Sequence, residues 1–239
     1  NLRAYFKSRD IITYLDSPAE VNEHWDRIED GRYRQINVGG SMTFGSNFKR
    51  FGDLTAELRW ENHKIEGLTG GGYTPELYRY VGLKLQSNVD TEDKFLFPTQ
   101  GMALTMSYES ALRNLGSEVG FGKIGVTYES YHTILARHTV RPRITFGFAD
   151  ETLPIAEQYS LGGLTSFYGL REDDSRGRQL FLINVEYRYT LPFRFIFDTY
   201  LKARYDLGTI SLVPQELKFN SFRHAVGLEI ALDTPLGQA

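Results

Sequence analysis

The strongest constraint on the fold of this 239-residue chain is a two-residue period in its apolar side chains. In one stretch the apolar positions are Phe181, Ile183, Val185, Tyr187, Tyr189 and Leu191. The polar positions between them are Asn184, Glu186 and Arg188. Successive side chains of a β-strand point to opposite faces, so this pattern predicts strands with one apolar and one polar face.

Similar stretches recur along the chain and predict about ten strands, most of them about 10 to 13 residues long. Their apolar positions run from Leu54 to Trp60, Met102 to Tyr108, Ile124 to Tyr128, Val140 to Phe148, Phe193 to Tyr205 and Phe222 to Leu232. Leu191-Pro192 predicts a hairpin whose second strand begins at Phe193. The stretch from Leu2 to Tyr14 is extended but poorly patterned.

Two architectures produce such alternation, a soluble β-sandwich and a membrane β-barrel. Strands of a sandwich are usually about 5 to 6 residues long, whereas a tilted membrane strand needs about 9 to 11. Aromatic residues stand towards the ends of the apolar faces, as in the girdles of a barrel, and nearly all charges lie on the opposite faces. A Lys or Arg facing lipid would cost about 2–4 kcal/mol. We therefore predict an all-β, antiparallel transmembrane β-barrel of about 10 to 12 strands, as one domain over residues 1–239.

Composition excludes several other classes of protein. The longest apolar run is only a few residues, far short of the about 20 of a transmembrane helix. A net charge of −3 gives no basic surface for nucleic acid. The absence of Cys excludes disulfides and thiolate zinc sites and is consistent with an oxidising compartment. Asn1 is not an initiator Met, so we expect a processed or excised piece of a longer chain.

Candidate catalytic chemistry is sparse. There is no Gly-x-Ser-x-Gly motif and no His-x-His or i,i+4 His pair, so we predict no enzyme activity, metal or cofactor in this chain. Ser130 and His132 share a strand face, which leaves a lipid-facing hydrolase as an alternative function. A small-solute pore is a further alternative. Glycines inside strands, among them Gly125 and Gly147, are interpreted as bulges and kinks. The alternatives are close approach of an inward loop and a seam that can open.

Four connections interrupt the strands. Ser17 to Asp30 predicts a short helix or an ordered loop, and Gly67 to Pro75 predicts a flexible loop. The longest connection is Asp150 to Arg178, and loops of more than about 15 residues are uncommon without a role. Leu212 to Asn220 is a second irregular connection.

Three motifs occur in a fixed order along the chain. The first is Asp93 to Gly101 (DKFLFPTQG), a turn with P-T-x-G that enters a strand. The second is Tyr159 to Gly177 (YSLGGLTSFYGLREDDSRG). The third is the tail with Glu186, Arg188, Tyr205 to Gly208, Val226 to Leu228 and Asp233 to Gly237. With these motifs the sequence resembles the BamA-type outer-membrane barrel superfamily over at least Asp93 to Gly237. The resemblance implies that the long loop folds into the barrel lumen.

The resemblance also selects the candidate site residues, which are Gly162, Gly163, Tyr168, Gly169, Arg171, Arg176, Glu186 and Asp206. In the family signature an Arg precedes the loop Gly and pairs with lumen acids, whereas Tyr168 stands there in this chain. Because buried carboxylates need a cation or strong donors, we expect Arg171 or Arg176 to pack near Glu186 and Asp206. The alternative is that these are ordinary solvated charges.

By resemblance, the function is translocation or insertion of a polypeptide, or anchoring and export of an attached domain, in the bacterial outer membrane. The Phe167 to Glu172 variant is more similar to barrels fused behind patatin-like lipase domains than to BamA. The partners implied are outer-membrane lipids and a polypeptide passenger or fused soluble domain. An incompletely closed barrel would expose an edge strand, so a second copy of the chain is a further candidate partner.

Overall fold

The computed structural model describes residues 1–16, 27–48, 51–70, 76–193, 196–217, 221–234 and 237–238. In these residues, the stretches in which apolar and polar side chains alternate form strands. The described strands are β1 (Leu2–Asp16), β2 (Arg27–Asn47), β3 (Gly52–Thr69), β4 (Glu76–Asp90), β5 (Gln100–Ala111), β6 (Phe121–Ile134), β7 (His138–Ala149), β8 (Tyr159–Leu161), β9 (Ser175–Gly177), β10 (Gln179–Thr190), β11 (Asp198–Ser211), β12 (Arg223–Thr234) and β13 (Gly237–Gln238). Single turns of 3-10 helix span Arg113–Leu115, Ile155–Glu157 and Pro214–Glu216.

Sequence neighbours pair antiparallel in one sheet, in the order β1 to β7, then β10 to β13. Strands β8 and β9 form a separate small hairpin within the connection between β7 and β10. The ten long strands have from 12 to 21 residues, which matches the length of membrane-spanning strands. The predicted all-β antiparallel fold and its strand number are confirmed.

The two faces of the sheet are distributed as in a membrane barrel. Large apolar side chains of the central strands remain exposed, among them Ile144, Phe146, Val185, Tyr187 and Leu201. The charged and polar side chains between them are buried, among them Glu61, Glu109, Glu186, Arg188, Arg204 and Asp206. A soluble sandwich places apolar residues inside, so this inverted distribution excludes the sandwich.

The sheet curls until its first and last long strands reach the same loop. Arg171, in the β7–β10 connection, lies over the ring of Tyr14 in β1 at 5.5 Å. Tyr168, close to it in sequence, donates a hydroxyl hydrogen bond of 2.8 Å to Glu229 in β12. The two edges of the sheet therefore flank one loop segment, which is the geometry of a barrel with its loop inside.

One interior region is apolar, which strand parity did not predict. Side chains on the inner face near the loop end pack together, namely Ile11, Tyr33, Ile65, Tyr78, Tyr80, Ala111, Phe121 and Ala149, with Leu153 and Ala156 of the loop. Loop residues supply the apolar partners, because Leu153 and Ala156 are 2% and 1% exposed.

Some boundaries differ from those predicted. The β10–β11 hairpin is confirmed, but β11 begins at Asp198 and not at Phe193. Pro192 offers no backbone N–H to a sheet, and Leu191 N–H instead bonds Thr199 O at 3.0 Å. Residues 17–26 and 71–75 lie outside the described residues, so most of two predicted connections does too. Of the described parts of those connections, Arg27 to Asp30 belong to β2, Gly67 to Thr69 belong to β3, and Gly70 follows β3.

In the part of the chain that the structure describes, no helix has the length and apolar character needed to cross a membrane.

Candidate functional site

The connection of residues 150–178, here called the inward loop, lies inside the barrel, as predicted. Its hairpin β8–β9 pairs Tyr159 with Gly177 and Leu161 with Ser175, which closes residues 162–174 into a compact excursion. Leu161 and Phe167 are 0% and 2% exposed and pack on Leu180 and Leu182 at the start of β10. These two buried side chains anchor the loop to the barrel wall through apolar contacts.

Polar contacts fix the first half of the inward loop to the wall. Lys123 of β6 donates to Glu157 O at 2.6 Å, and Arg9 of β1 donates to Ala156 O. The Tyr159 hydroxyl donates to Ile124 O in β6. Its ring covers Gly147 so closely that a Cβ there would stand 2.7 Å from it. Close approach of the loop, the alternative to a bulge, therefore explains Gly147, where the β7–β10 register runs without a shift.

Asp206 is the centre of the second attachment, and it is fully buried. Its Oδ2 accepts the backbone N–H of Tyr168 at 2.8 Å. Its Oδ1 accepts Asn184 Nδ2 and Arg204 Nε, both at 2.6 Å. We call Tyr168, Asn184, Arg204 and Asp206 the Asp206 cluster. Both carboxylate oxygens have strong donors, which makes burial of the charge tolerable.

Arg204 extends this attachment to the loop backbone. Its Nη1 donates to Leu164 O at 2.8 Å and its Nη2 to Ser166 O at 2.7 Å. Its guanidinium lies over the ring of Tyr168 at 4.3 Å. One buried ion pair therefore holds two loop carbonyls, one loop N–H and one loop ring.

Tyr168 also reaches the last long strand. Its hydroxyl donates to Glu229, which additionally accepts Lys202 Nζ at 2.9 Å. A Cβ on Gly227 of β12 would stand 2.3 Å from the Tyr168 ring, so only glycine lets the ring lie against the strand. Bulk at Gly227 would displace the loop.

The predicted loop glycines occupy conformations that favour glycine. Gly162 has φ +134°, and a Cβ there would stand 2.0 Å from Arg171 O. Positive φ values also occur at Gly163 and Gly169. These glycines determine the backbone conformation of the loop. Because glycine has no functional side chain, they contribute no chemical group to the site.

The described contacts give the lumen acids other cations than the two predicted. Glu186 lies 3.6 Å from Arg141 Nη1, and Asp206 pairs with Arg204. Arg176 pairs with Asp173 at 2.5 Å, and Arg171 lies over Tyr14. For Glu186 the reason is strand register, since it stands directly opposite Arg141 in β7. Sequence reasoning missed Arg141 and Asn184 because parity alone does not give register. Arg204 is two positions from Asp206 on the same face of β11, so parity within that strand could have identified it.

At the opposite end of the barrel, the β4–β5 connection also folds inward, and we call residues 91–99 the inward turn. Asp93 accepts the N–H groups of Thr99 and Gln100 at 2.8 and 3.2 Å. Burial alone would raise the pKa of Asp93, but a hydrogen bond from the Thr99 hydroxyl, together with these two N–H groups, holds it below its ordinary value. The P-T-x-G motif was predicted as a turn, and its inward direction was not.

The inward turn is held by aromatic and cationic side chains. Phe97 is 6% exposed and stacks on Tyr200 at 4.1 Å between ring centres. Arg188 donates to Pro98 O and lies over the Phe97 ring at 5.5 Å. Beneath the turn is a cavity of about 290 Å³ whose charged walls include Glu92, Glu129, Arg141, Glu186, Arg188 and Lys202.

Glu92 makes the inward turn sensitive to pH. Burial, followed by the nearby charges of Asp90 and Glu129, raises the pKa of Glu92 from 4.5 to about 7, against the opposing effect of Arg141. The folded turn therefore binds more protons than the unfolded turn between these values, and its stability falls as pH rises through that window. We expect faster hydrogen exchange of the backbone around Phe97 at pH 8 than at pH 5.5, after correction for intrinsic rates. Glu92→Gln should remove this difference, and an equal difference in the variant would contradict the assignment.

The Ser130–His132 pair, the candidate for a lipid-facing hydrolase, is not exposed to lipid. Ser130 Oγ lies 3.1 Å from His132 Nε2, but Ser130 is only 4% exposed, so its hydroxyl has little access to lipid. Within the described ranges, no three His, Asp or Glu side chains converge as metal ligands would.

Comparison with known proteins agrees with this geometry. No curated protein matches the chain significantly. The fold is similar to that in the crystal structure of BamA from Haemophilus ducreyi lacking POTRA domains 1-3, with a TM-score of 0.76 and 14% identity. The match covers 87% of this chain and 50% of that one, so the chain spans about half the length of the BamA structure. The model of the Omp85 superfamily domain matches residues 4–239, nearly the whole sequence. The chain belongs to the Omp85 superfamily.

Proposed function

We propose that this chain is a bacterial outer-membrane barrel that inserts polypeptides into the membrane or translocates them across it. Membership of the Omp85 superfamily and the similarity to BamA support this proposal. The observation that carries it is the inward loop, fastened by the Asp206 cluster inside a barrel whose apolar face is outward. Such a barrel offers a polar, structured interior and needs no catalytic residue, which supports a role without enzyme activity.

The edge strands provide a route for a polypeptide. In the described residues β1 pairs with β2, and β12 pairs with β11 and with the two residues of β13. An edge strand offers unpaired N–H and C=O groups, and an extended polypeptide can add to it as a further strand. The same edges are where a second copy of the chain would dock, and the outward apolar face is where outer-membrane lipid would lie.

The small-solute pore is less well supported. The inward loop fills one end of the lumen and the inward turn enters the other, where Phe97 is buried. A pore needs a continuous aqueous path, and these two segments obstruct one. Single-channel recording separates the two functions, because a plugged barrel should show no steady conductance.

The direct test is insertion of an unfolded outer-membrane barrel protein into liposomes that contain this protein. We expect protease-protected, membrane-inserted product to form about tenfold faster than in empty liposomes, since a paired edge lowers the cost of burying backbone groups in lipid. Liposomes with heat-denatured protein are the matched control. Equal rates in all three preparations would refute the proposal.

We further propose that the passenger is a fused patatin-like domain. The support is the Phe167-Tyr168-Gly169-Leu170-Arg171-Glu172 variant in the inward loop. Under this proposal the barrel anchors or exports that domain, and any lipase activity belongs to it. Sequencing the gene upstream of Asn1 tests this, because a patatin-like domain should carry a Gly-x-Ser-x-Gly motif and repeated small periplasmic domains would point to general insertion instead.

A further inference from the structure

The turn between β6 and β7 exposes large apolar side chains at the end of the barrel where the inward turn also lies. Ile134 is the last residue of β6 and is 55% exposed, and Leu135, the first residue of the turn, is 82% exposed. Tight turns in water favour Gly, Asn, Asp and Ser, which either permit the backbone conformation or bond it with a polar side chain. A leucine has neither property.

The backbone of this turn adds to the cost of the leucine. Leu135 has φ +52° and Ala136 has φ +60°, both in the left-handed region that favours glycine and asparagine. Hairpin turns with two such positions are usually Asn-Gly or Asp-Gly. Strained non-glycine residues persist where another contact or a function requires them. An apolar environment outside the chain would supply such a contact for Leu135.

The β10–β11 turn extends this surface. Thr190 N–H donates to Arg137 O at 2.9 Å, which places the two turns side by side. Phe193 and Ile196 of the second turn are 53% and 75% exposed. We call the exposed residues of the two turns the turn patch, namely Ile134, Leu135, Arg137, Phe193 and Ile196.

The turn patch continues the outward apolar face of the barrel. Tyr187 of β10 is on that face at 40% exposure, and its hydroxyl lies 2.5 Å from Nδ1 of His138, the first residue of β7. Amphipathic rings of this kind mark the boundary between hydrocarbon and lipid headgroups. The turn patch lies beyond them, towards the tips of the turns, and is therefore at the level of the headgroups.

The charge of these turns is positive. Arg137 is exposed and forms no ion pair with any residue that the structure describes. In sequence, residues 48–51, 135–137 and 191–197 contain four Lys or Arg and no Asp or Glu, whereas residues 150–178 at the other end contain six acids and three arginines. Basic residues beside apolar ones at a membrane boundary favour anionic lipid.

We propose that the turn patch lies in the headgroup layer of an anionic phospholipid leaflet, with Leu135 and Ile196 against the upper acyl chains and Arg137 on the lipid phosphates. A guanidinium donates in a fork to phosphate oxygens. A soluble domain or a second copy of the chain would also cover apolar side chains. Lipid fits better because the patch is continuous with the lipid-facing surface. The proposal rests on the membrane location that the proposed function includes, and it does not require polypeptide insertion.

Quenching of a fluorophore at the turn tests this proposal. Ala136→Cys gives one labelling site beside Leu135, because the chain has no Cys. The labelled protein is placed in vesicles of phosphatidylcholine, with or without phosphatidylglycerol, that contain a fixed fraction of phosphatidylcholine with a nitroxide headgroup. The quenched fraction gives the ratio of lipid-immersed to aqueous label. We expect this ratio to be about fivefold higher with phosphatidylglycerol, the effect of one cation at an anionic surface.

Three variants of the labelled protein accompany this comparison. Arg137→Gln should give equal ratios in the two kinds of vesicle. Lys94→Gln is the matched control, because Lys94 is an exposed cation of the inward turn, and it should keep the fivefold difference. Leu135→Asn suits the left-handed backbone, so it should fold at least as well, yet it should lower the ratio in both kinds of vesicle.

The outcomes separate the turn patch from the proposed function. Equal ratios in both kinds of vesicle, an absence of quenching, or a phosphatidylglycerol effect that survives in Arg137→Gln overturns the proposal. A second label at Leu104→Cys, with nitroxide on the acyl chains, reports on the barrel itself. If that label is quenched and the turn label is not, the membrane barrel stands and the turn patch is wrong. If polypeptide insertion fails while the Arg137-dependent quenching holds, the turn patch stands and the insertion function is wrong.

Discussion

Asp206→Ala is expected to lower the free energy of unfolding of the barrel by about 3–5 kcal/mol, the usual cost of removing one partner of a buried ion pair. Arg204 is 8% exposed and would keep its charge without a counter-ion. Tyr168 N–H and Asn184 Nδ2 would lose their acceptor in the same variant. Urea-dependent unfolding in lipid vesicles, followed by Trp fluorescence, measures the effect, because the chain contains two Trp.

Two further variants control this result. Asp10→Ala breaks an exposed pair with Arg34 and should leave stability nearly unchanged. Replacing both members of the buried pair, with Asp206→Ala and Arg204→Met, should recover part of the loss because no uncompensated charge remains. An Asp206→Ala effect as small as that of Asp10→Ala would show that the Asp206 cluster does not hold the inward loop.

Ile144→Arg is expected to destabilise the barrel in a bilayer by about 2–4 kcal/mol, as for cations on the lipid face near mid-membrane. Ile144 lies near the middle of β7, faces outward at 42% exposure, and stands opposite Tyr128 and Ile183. Ile144→Leu retains the apolar surface and is the matched control. The same urea titration in vesicles measures both variants, and an Arg effect no larger than the Leu effect would place this residue away from lipid.

Strand alternation was sufficient to predict the barrel and the direction of its two faces. Parity assigned Val185 and Ile144 to one face and Glu186 and Asp206 to the other, and the structure places them so. The reason is that parity depends only on local backbone geometry, which is the same in every strand. The long connection between β7 and β10 was recognisable because its sequence lacks this alternation.

The partners of the lumen charges were not predictable in the same way. The sequence favoured Arg171 and Arg176 because they are near Tyr168 in the chain, which stands where the family has an arginine. The structure instead uses Arg204, two positions from Asp206 on the same face of β11, and Arg141, directly opposite Glu186. The Arg141–Glu186 pair depends on strand register, which is set by turn lengths and packing across the sheet. The Arg204–Asp206 pair follows from parity within one strand and was overlooked because the prediction began from the loop arginines.

The interior apolar region was missed for a related reason. Ile11, Tyr33 and Ile65 have the parity of lumen residues, where polar side chains were expected. They are nevertheless apolar or aromatic and are 1%, 4% and 1% exposed. Their burial depends on Leu153 and Ala156, which reach them only after the inward loop has folded inside. A strand pattern contains no information about a distant loop that covers it.

Nitroxide accessibility along β5 tests most directly whether the apolar face contacts hydrocarbon. The chain has no Cys, so single Cys substitutions give one label each. Labels at Met102, Leu104 and Met106 should collide with oxygen dissolved in the bilayer, and labels at Ala103, Thr105 and Ser107 with a water-soluble nickel complex. Strict alternation between the two reagents is the expected result. Low collision rates with both reagents at Met102, Leu104 and Met106, as in a packed soluble core, would contradict a membrane barrel.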